Sequence, residues 1–216
     1  FMPLFWTNLV TFAWLLPCFA CLFFLTELWD SLSWAGTYVF FVLAGPGVTA
    51  LHYNCMRIVR GVPVWWWDDY KECVRREWKK AMLLSAILGA LWSGYVYALR
   101  LIIAVSGGLG LMYSMLFAVC GFVLTGLTAL SYQQLANVEL PFGNVLKNAL
   151  LLIFAGKGRS FAAVMFALAA LALCARYYLY AFFVLLVGFY AVGVMTFSLI
   201  FLPVFNEFFP SGDDAQ

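Results

Sequence analysis

The residues of this chain that could do chemistry are few, and the single histidine, His52, stands out among them. It follows the stretch Gly45-Pro46-Gly47, which interrupts an apolar segment. Pro46 lacks a backbone donor and clashes with the preceding helical turn, so we expect a kink or a broken helix there. Broken helices can form transport sites in membranes, whereas a packing kink beside a hydrogen-bonded histidine is the commoner arrangement. We favour packing and keep Gly45, Pro46, Gly47 and His52 as a candidate polar site.

The other polar residues predict no catalytic, metal or cofactor site. Cys18 and Cys21 have the spacing of a metal-binding pair, but one histidine is too little to complete a four-ligand site, so we interpret them as packing thiols. The segment from Gly156 to Ser160 resembles a phosphate loop but lacks the leading glycine and the preceding strand. We therefore expect a protein that is not an enzyme and that does not hydrolyse ATP.

Composition restricts the class of protein. Of the 216 residues, 66% are hydrophobic and 10% are charged. Soluble domains contain roughly 25% charged residues, and a soluble chain of the present composition could not cover its own surface. The net charge of +2 also argues against a nucleic-acid-binding role. The sequence predicts a polytopic α-helical membrane protein that forms a single transmembrane domain over residues 1–216.

Six apolar runs have about the 20 residues that a transmembrane helix needs. They are residues 8–28, 35–57, 81–103, 109–132, 160–178 and 181–204. Because each run could cross a bilayer once, we expect about six transmembrane helices. A short tail, residues 206–216, follows the last of them.

The basic residues set the predicted orientation. Ten of the twelve lie in two connections, between the second and third and between the fourth and fifth runs, whereas Arg100 and Arg176 lie near the other side. By the positive-inside rule these connections are cytoplasmic, so we expect both termini to be cytoplasmic as well. The ten residues are Arg57, Arg60, Lys71, Arg75, Arg76, Lys79, Lys80, Lys147, Lys157 and Arg159.

Each basic connection contains an amphipathic segment, residues 66–80 and residues 143–155. In the first, aromatic residues recur at helical spacing and charges of both signs fill the other face, with Asp68 placed to cap the helix. We expect this helix to lie along the cytoplasmic surface and to turn into the third span at Lys79 and Lys80. It either anchors the protein or contacts a partner. The candidate partner interface is Trp67, Asp68, Tyr70, Arg75, Arg76, Trp78 and Lys79.

Seven short stretches follow one another along the chain in a characteristic order and spacing. They are Thr7-Asn8-Leu9, Leu15-Leu16-Pro17, Gly45-Pro46-Gly47-Val48-Thr49-Ala50-Leu51-His52-Tyr53, Met56-Arg57-Ile58-Val59-Arg60-Gly61, Trp66-Trp67-Asp68-Asp69-Tyr70, Arg75-Arg76-Glu77-Trp78-Lys79-Lys80-Ala81 and Leu146-Lys147-Asn148-Ala149-Leu150. Together they resemble the YesL-like family of small bacterial membrane proteins. Compared with that family, about twenty extra apolar residues separate the first span from the Gly-Pro-Gly stretch, so residues 31–44 either span the membrane or re-enter it.

The resemblance implies a function that the residues do not specify. Members of this family are typically encoded beside carbohydrate ABC importers in Gram-positive bacteria and have no established enzymatic activity. We therefore expect a non-enzymatic accessory subunit in the bacterial plasma membrane, with the importer's permease or ATPase subunits as partners. The alternative is a stand-alone small solute transporter that uses the Gly45-Pro46-Gly47 break as its site.

Overall fold

A computed structural model describes residues 2–24, 30–106, 110–176 and 190–209, and the regular elements in these ranges are all α-helices. We number them in chain order. They are α1 (Met2–Phe24), α2 (Asp30–Val59), α3 (Trp66–Ser106), α4 (Leu111–Asn137), α5 (Phe142–Ala155), α6 (Lys157–Arg176) and α7 (Tyr190–Phe208). Residues 210–216, most of the predicted tail, lie outside the described residues.

Five of the described helices, α1, α2, α3, α4 and α7, are long and apolar enough to cross a membrane. The pair α5 and α6 adds a sixth crossing if it counts as one bent span, with an angle of 108° between its two parts. This bend separates the predicted amphipathic segment, residues 143–155, from the predicted fifth span. The prediction of a polytopic helical membrane bundle is confirmed.

The helices are continuous at both places where the sequence predicted a change of direction. The prediction at Gly45-Pro46-Gly47 was a kink or a broken helix. The chain forms one continuous helix from Asp30 to Val59 with Pro46 inside α2, so a broken helix is excluded. Residues 31–44 belong to that same helix and do not form a separate re-entrant segment. Likewise, residues 66–80 and the third span form the single 41-residue helix α3, with no non-helical residue at Lys79 or Lys80. Neighbouring helices compensate for the missing donor of a proline in such a bundle.

The length of α3 places part of it outside the hydrocarbon layer. A helix rises about 1.5 Å per residue, so its 41 residues extend about 60 Å, whereas the hydrocarbon core of a bilayer is about 30 Å thick. The charged residues of α3 are concentrated in its first fifteen positions, residues 66–80. We therefore assign this first part, which we call the charged segment of α3, to the membrane surface.

A tight turn joins α2 to the charged segment of α3. Gly61 has a φ of 72°, and its N–H donates to Ile58 O while Val62 N–H donates to Arg57 O. This pairing is a Schellman motif, which glycine favours because the left-handed conformation is strained for other residues. Asn54 Nδ2 then donates to Trp66 O at 3.0 Å and to Thr7 Oγ1 at 3.1 Å, so one side chain joins α1, α2 and α3.

Most charged groups lie at one end of the bundle, which we call the basic end. There the Arg60 guanidinium lies 5.1 Å from the centre of the Phe205 ring, near the end of α7, and the Trp6 and Trp66 rings stack. The start of α1 and the end of α7 therefore lie at the basic end. At the opposite end, the Arg100 guanidinium lies over the Trp34 ring at 4.8 Å.

Two of the four clusters of buried apolar residues contain residues of α4. The first joins α4 to α2, α5, α6 and α7 around Leu130 and Phe201, and the second joins α4 to α2, α3 and α5 around Leu84 and Tyr132. Because α4 packs against both groups of helices, side chains on its different faces can reach α2, α3 and α7. This placement brings together the polar residues described next.

Candidate functional site

The Gly45-Pro46-Gly47 stretch is a point of close helix packing. A Cβ atom at Gly45 would lie 2.7 Å from the Ala81 carbonyl oxygen and would overlap the Ser85 hydroxyl of α3. A Cβ atom at Gly47 would lie 2.8 Å from the Trp14 ring of α1. The two glycines therefore let α2 approach α3 and α1 at the same level of the bundle. Atoms of α1 and α3 thus occupy the space beside both glycines.

The predicted partner interface divides into exposed and interior residues. Tyr70 is 3% exposed, and its hydroxyl lies 3.4 Å from Thr11 Oγ1 of α1. By contrast, Trp67 and Trp78 are 45% and 46% exposed. The exposed members are Trp67, Asp68, Arg75, Arg76, Trp78 and Lys79. All of these except Arg76 form what we call the exposed face of α3.

Arg76 makes its contacts within the chain although its side chain is partly exposed. Its guanidinium donates to Glu77 Oε1 at 3.1 Å and to Ala136 O at 3.3 Å, and it lies 5.5 Å from the centre of the Tyr53 ring. These contacts join α3 to α2 and to the last turn of α4. Arg76 therefore stabilises the basic end of the bundle rather than belonging to the exposed face.

Asp69, and not Asp68, stabilises the first turn of α3. The Trp65 N–H donates to Asp69 Oδ2 at 2.8 Å, and Asp69 Oδ1 forms an ion pair with Arg57 at 3.3 Å. The Asp68 carboxylate is 76% exposed and pairs with Lys71. The sequence could not distinguish the two carboxylates, because the deciding partner, Arg57, comes from α2.

A buried polar cluster joins α2, α4 and α7. His52 is 5% exposed, and its Nδ1 lies 2.8 Å from Gln133 Oε1. Ser198 Oγ of α7 lies 3.4 Å from the same oxygen. The Tyr132 ring stacks on the imidazole with 5.9 Å between centroids, and its hydroxyl lies 2.7 Å from Ser85 Oγ. His52 is thus a buried, hydrogen-bonded residue, as the packing interpretation expected.

A cavity of about 570 Å³ lies next to this cluster. Every described helix except α5 contributes to its wall, which extends from Trp34 to His52 and is largely aromatic and aliphatic. None of the described lining residues carries a carboxylate, ammonium or guanidinium group. Neither Gly45 nor Gly47 belongs to the wall. Of the four residues of the predicted polar site, His52 alone belongs to the described wall of the cavity.

The size and the lining of the cavity are those of a ligand site. Cavities of about 300–1,000 Å³ with apolar walls and a few polar groups are typical of small-molecule sites. We therefore expect an occupant.

The sequence did not predict the partners of His52. Gln133 and Ser198 are 81 and 146 residues further along the chain, in different helices. One feature of the sequence could have pointed to Gln133. A run of four polar residues lies inside an apolar segment, namely Ser131, Tyr132, Gln133 and Gln134. Polar residues inside membrane segments usually face the bundle interior and often mark functional sites.

In comparisons with known proteins, no family model, curated protein or solved structure matches the chain. Within the described ranges, no group of three or more His, Cys, Asp or Glu side chains is placed to hold a metal ion. The fold and the apolar helices define a multi-pass α-helical membrane protein.

Proposed function

We propose that this protein is a non-enzymatic accessory membrane subunit that binds a partner protein through the exposed face of α3. The resemblance to the YesL-like family narrows the partner to the permease or ATPase subunits of a carbohydrate ABC importer in a bacterial plasma membrane. The observation that most directly supports this proposal is the combination of exposed aromatic rings and unpaired charges on the charged segment of α3.

Two charges of this face, and one carboxylate beside it on the charged segment of α3, are available to a partner. Arg75 and Lys79 of the face, and Glu72 of the same segment, form no ion pair with any described residue, and all three side chains are exposed. Protein interfaces favour tryptophan and arginine, and paired charges across an interface give specificity. A helix that only anchors in the headgroup region needs apolar and basic residues, whereas acidic residues add nothing to its attraction for anionic lipids.

The experiment is co-purification from the native host. The tagged chain is extracted in mild detergent, and the permease and ATPase bound to it are quantified by mass spectrometry. We expect both importer subunits to be enriched with the wild-type chain. We expect the Arg75→Glu, Lys79→Glu double variant to lower their yield about tenfold or more, since reversing charges at an interface costs several kcal/mol.

The control is the Lys147→Glu, Arg159→Glu double variant. Both side chains changed in the control are exposed. The control changes the net charge by the same amount as the Arg75→Glu, Lys79→Glu variant, but in the other basic connection, between the fourth and fifth predicted spans. Each variant is compared at equal amounts of folded, monodisperse protein. Absence of both importer subunits from the folded wild-type preparation would contradict the proposal, and equal yields from the two double variants would contradict the interface.

The alternative is a stand-alone small solute transporter that uses the Gly45-Pro46-Gly47 stretch as its site. The packing of Gly45 and Gly47 against neighbouring helices supports the accessory proposal over this alternative. Reconstitution of the purified chain alone into liposomes separates the two proposals. The accessory proposal predicts sugar uptake no faster than in protein-free liposomes. Saturable uptake by the chain alone would favour the transporter.

A further inference from the structure

We propose that the cavity in the bundle binds an uncharged amphiphile that has an apolar body and one hydroxyl group, such as a long-chain alcohol. This inference concerns a different part of the molecule from the exposed face of α3 and does not rest on the proposed partner. It follows from the chemistry of the wall, from one hydrogen-bond acceptor and from the space beside α7.

The wall selects an apolar, uncharged ligand. Aromatic rings such as Trp34, Phe41, Trp92 and Phe197 surround the space. A charged group would lose its hydration there without meeting an opposite charge. A sugar would likewise exchange many hydrogen bonds with water for few with the protein, so the cargo of a carbohydrate importer is a poor occupant.

His52 supplies the acceptor for the hydroxyl group. When Nδ1 donates to Gln133 Oε1 at 2.8 Å, the neutral imidazole presents Nε2 as an acceptor. No described residue is hydrogen-bonded to Nε2, and His52 is part of the cavity wall. Stacking on Tyr132 holds the ring in place. A ligand hydroxyl can therefore donate to Nε2 while its apolar body occupies the aromatic part of the cavity.

Gly193 gives a direct way to fill the space. It belongs to the cavity wall, and a Cβ atom built on it meets no other atom within 4 Å. Gly94 of α3 also has nothing within 4 Å of a Cβ atom, but it lies on the exposed surface outside the cavity. The variants Gly193→Phe and Gly94→Phe therefore introduce the same side chain, one into the cavity and one outside it.

The test uses a long-chain alcohol with a photoreactive diazirine in the chain, and its methyl ether as the matched probe without a hydroxyl. The full-length chain in mild detergent is irradiated with each probe, and adducts are counted by intact-protein mass spectrometry and mapped by peptide sequencing. We expect saturable labelling of cavity-lining peptides by the alcohol. The ether should label about fivefold less, the factor that corresponds to one net hydrogen bond.

The variants decide where and how the probe binds. Gly193→Phe should lower alcohol labelling about fivefold or more, because an overfilled site excludes its ligand, and Gly94→Phe should not. Ala170→Phe fills the cavity from α6 and provides the same test if Gly193→Phe does not fold. His52→Phe should remove the difference between alcohol and ether. Labelling unchanged by a folded cavity-filling variant, or equal for both probes in the wild type, would overturn the proposal.

Discussion

Gly45 is important because it lacks a side chain, and not because it breaks the helix. The sequence suggested that Gly45-Pro46-Gly47 would kink or break α2, and the helix continues without a break from Asp30 to Val59. What the glycine provides is close approach, because its Cα faces the Ala81 carbonyl and the Ser85 hydroxyl. Small residues at such points let membrane helices pack tightly in the absence of a hydrophobic driving force.

We expect Gly45→Ala to destabilise the protein by about 1–3 kcal/mol, the range for an overpacked site. Gly94→Ala is the control, since a Cβ atom there meets nothing within 4 Å and both changes gain the same helix propensity. The measurement is thermal unfolding in detergent, followed by tryptophan fluorescence. Equal transition temperatures for the two variants would show that α2 and α3 do not meet closely at Gly45.

The charged segment of α3 is held to the bundle as part of one long helix. Asp69 pairs with Arg57, Asn54 binds the Trp66 carbonyl, and Arg76 binds the Ala136 carbonyl. These contacts come from α2 and α4 and use the interior side of the helix. The exposed face is therefore presented in a fixed orientation, which lowers the entropic cost of binding a partner.

We expect Asp69→Ala to cost about 1.5–3 kcal/mol, because it removes a hydrogen bond and an ion pair from a side chain that is 9% exposed. Asp68→Ala should change the unfolding free energy by less than about 1 kcal/mol, as its ion pair with Lys71 is on the surface. Chemical denaturation of both variants in the same detergent provides the comparison. A larger effect from Asp68→Ala would mean that Asp68 caps α3 after all.

At the scale of the whole molecule, charge is separated along the bundle. The basic end contains the turn between α2 and α3, the start of α1 and the end of α7. Arg100 lies at the opposite end beside Trp34, where an arginine can extend towards the headgroups. The sequence-based expectation is that both termini lie on one side of the membrane, and the start of α1 and the end of α7 do lie at the same end of the bundle.

The positive-inside rule predicts that this side is cytoplasmic. In a cysteine-free background, a membrane-impermeant maleimide added to intact cells should label Gly110→Cys, which is exposed between α3 and α4. It should label Glu72→Cys only after the membrane is permeabilised. Labelling of Glu72→Cys but not Gly110→Cys in intact cells would reverse the orientation.

The sequence by itself determined the class of protein, the helical content and the separation of charge. These properties depend on local runs, since about 20 apolar residues suffice to form a spanning helix and lysine and arginine mark its ends. For the same reason the amphipathic character of residues 66–80 and 143–155 was predictable, and both segments are helical.

Tertiary structure decided the role of each candidate residue. Gly45 is a packing residue because Ala81 and Ser85 face it, and His52 becomes a hydrogen-bond acceptor in a cavity wall because Gln133, 81 residues away, fixes its other nitrogen. The cavity likewise depends on the packing of six described helices, whose side chains leave a space between them. Such features depend on contacts between segments that are distant in sequence, and the pattern of residues along the chain does not show which helix faces will be in contact.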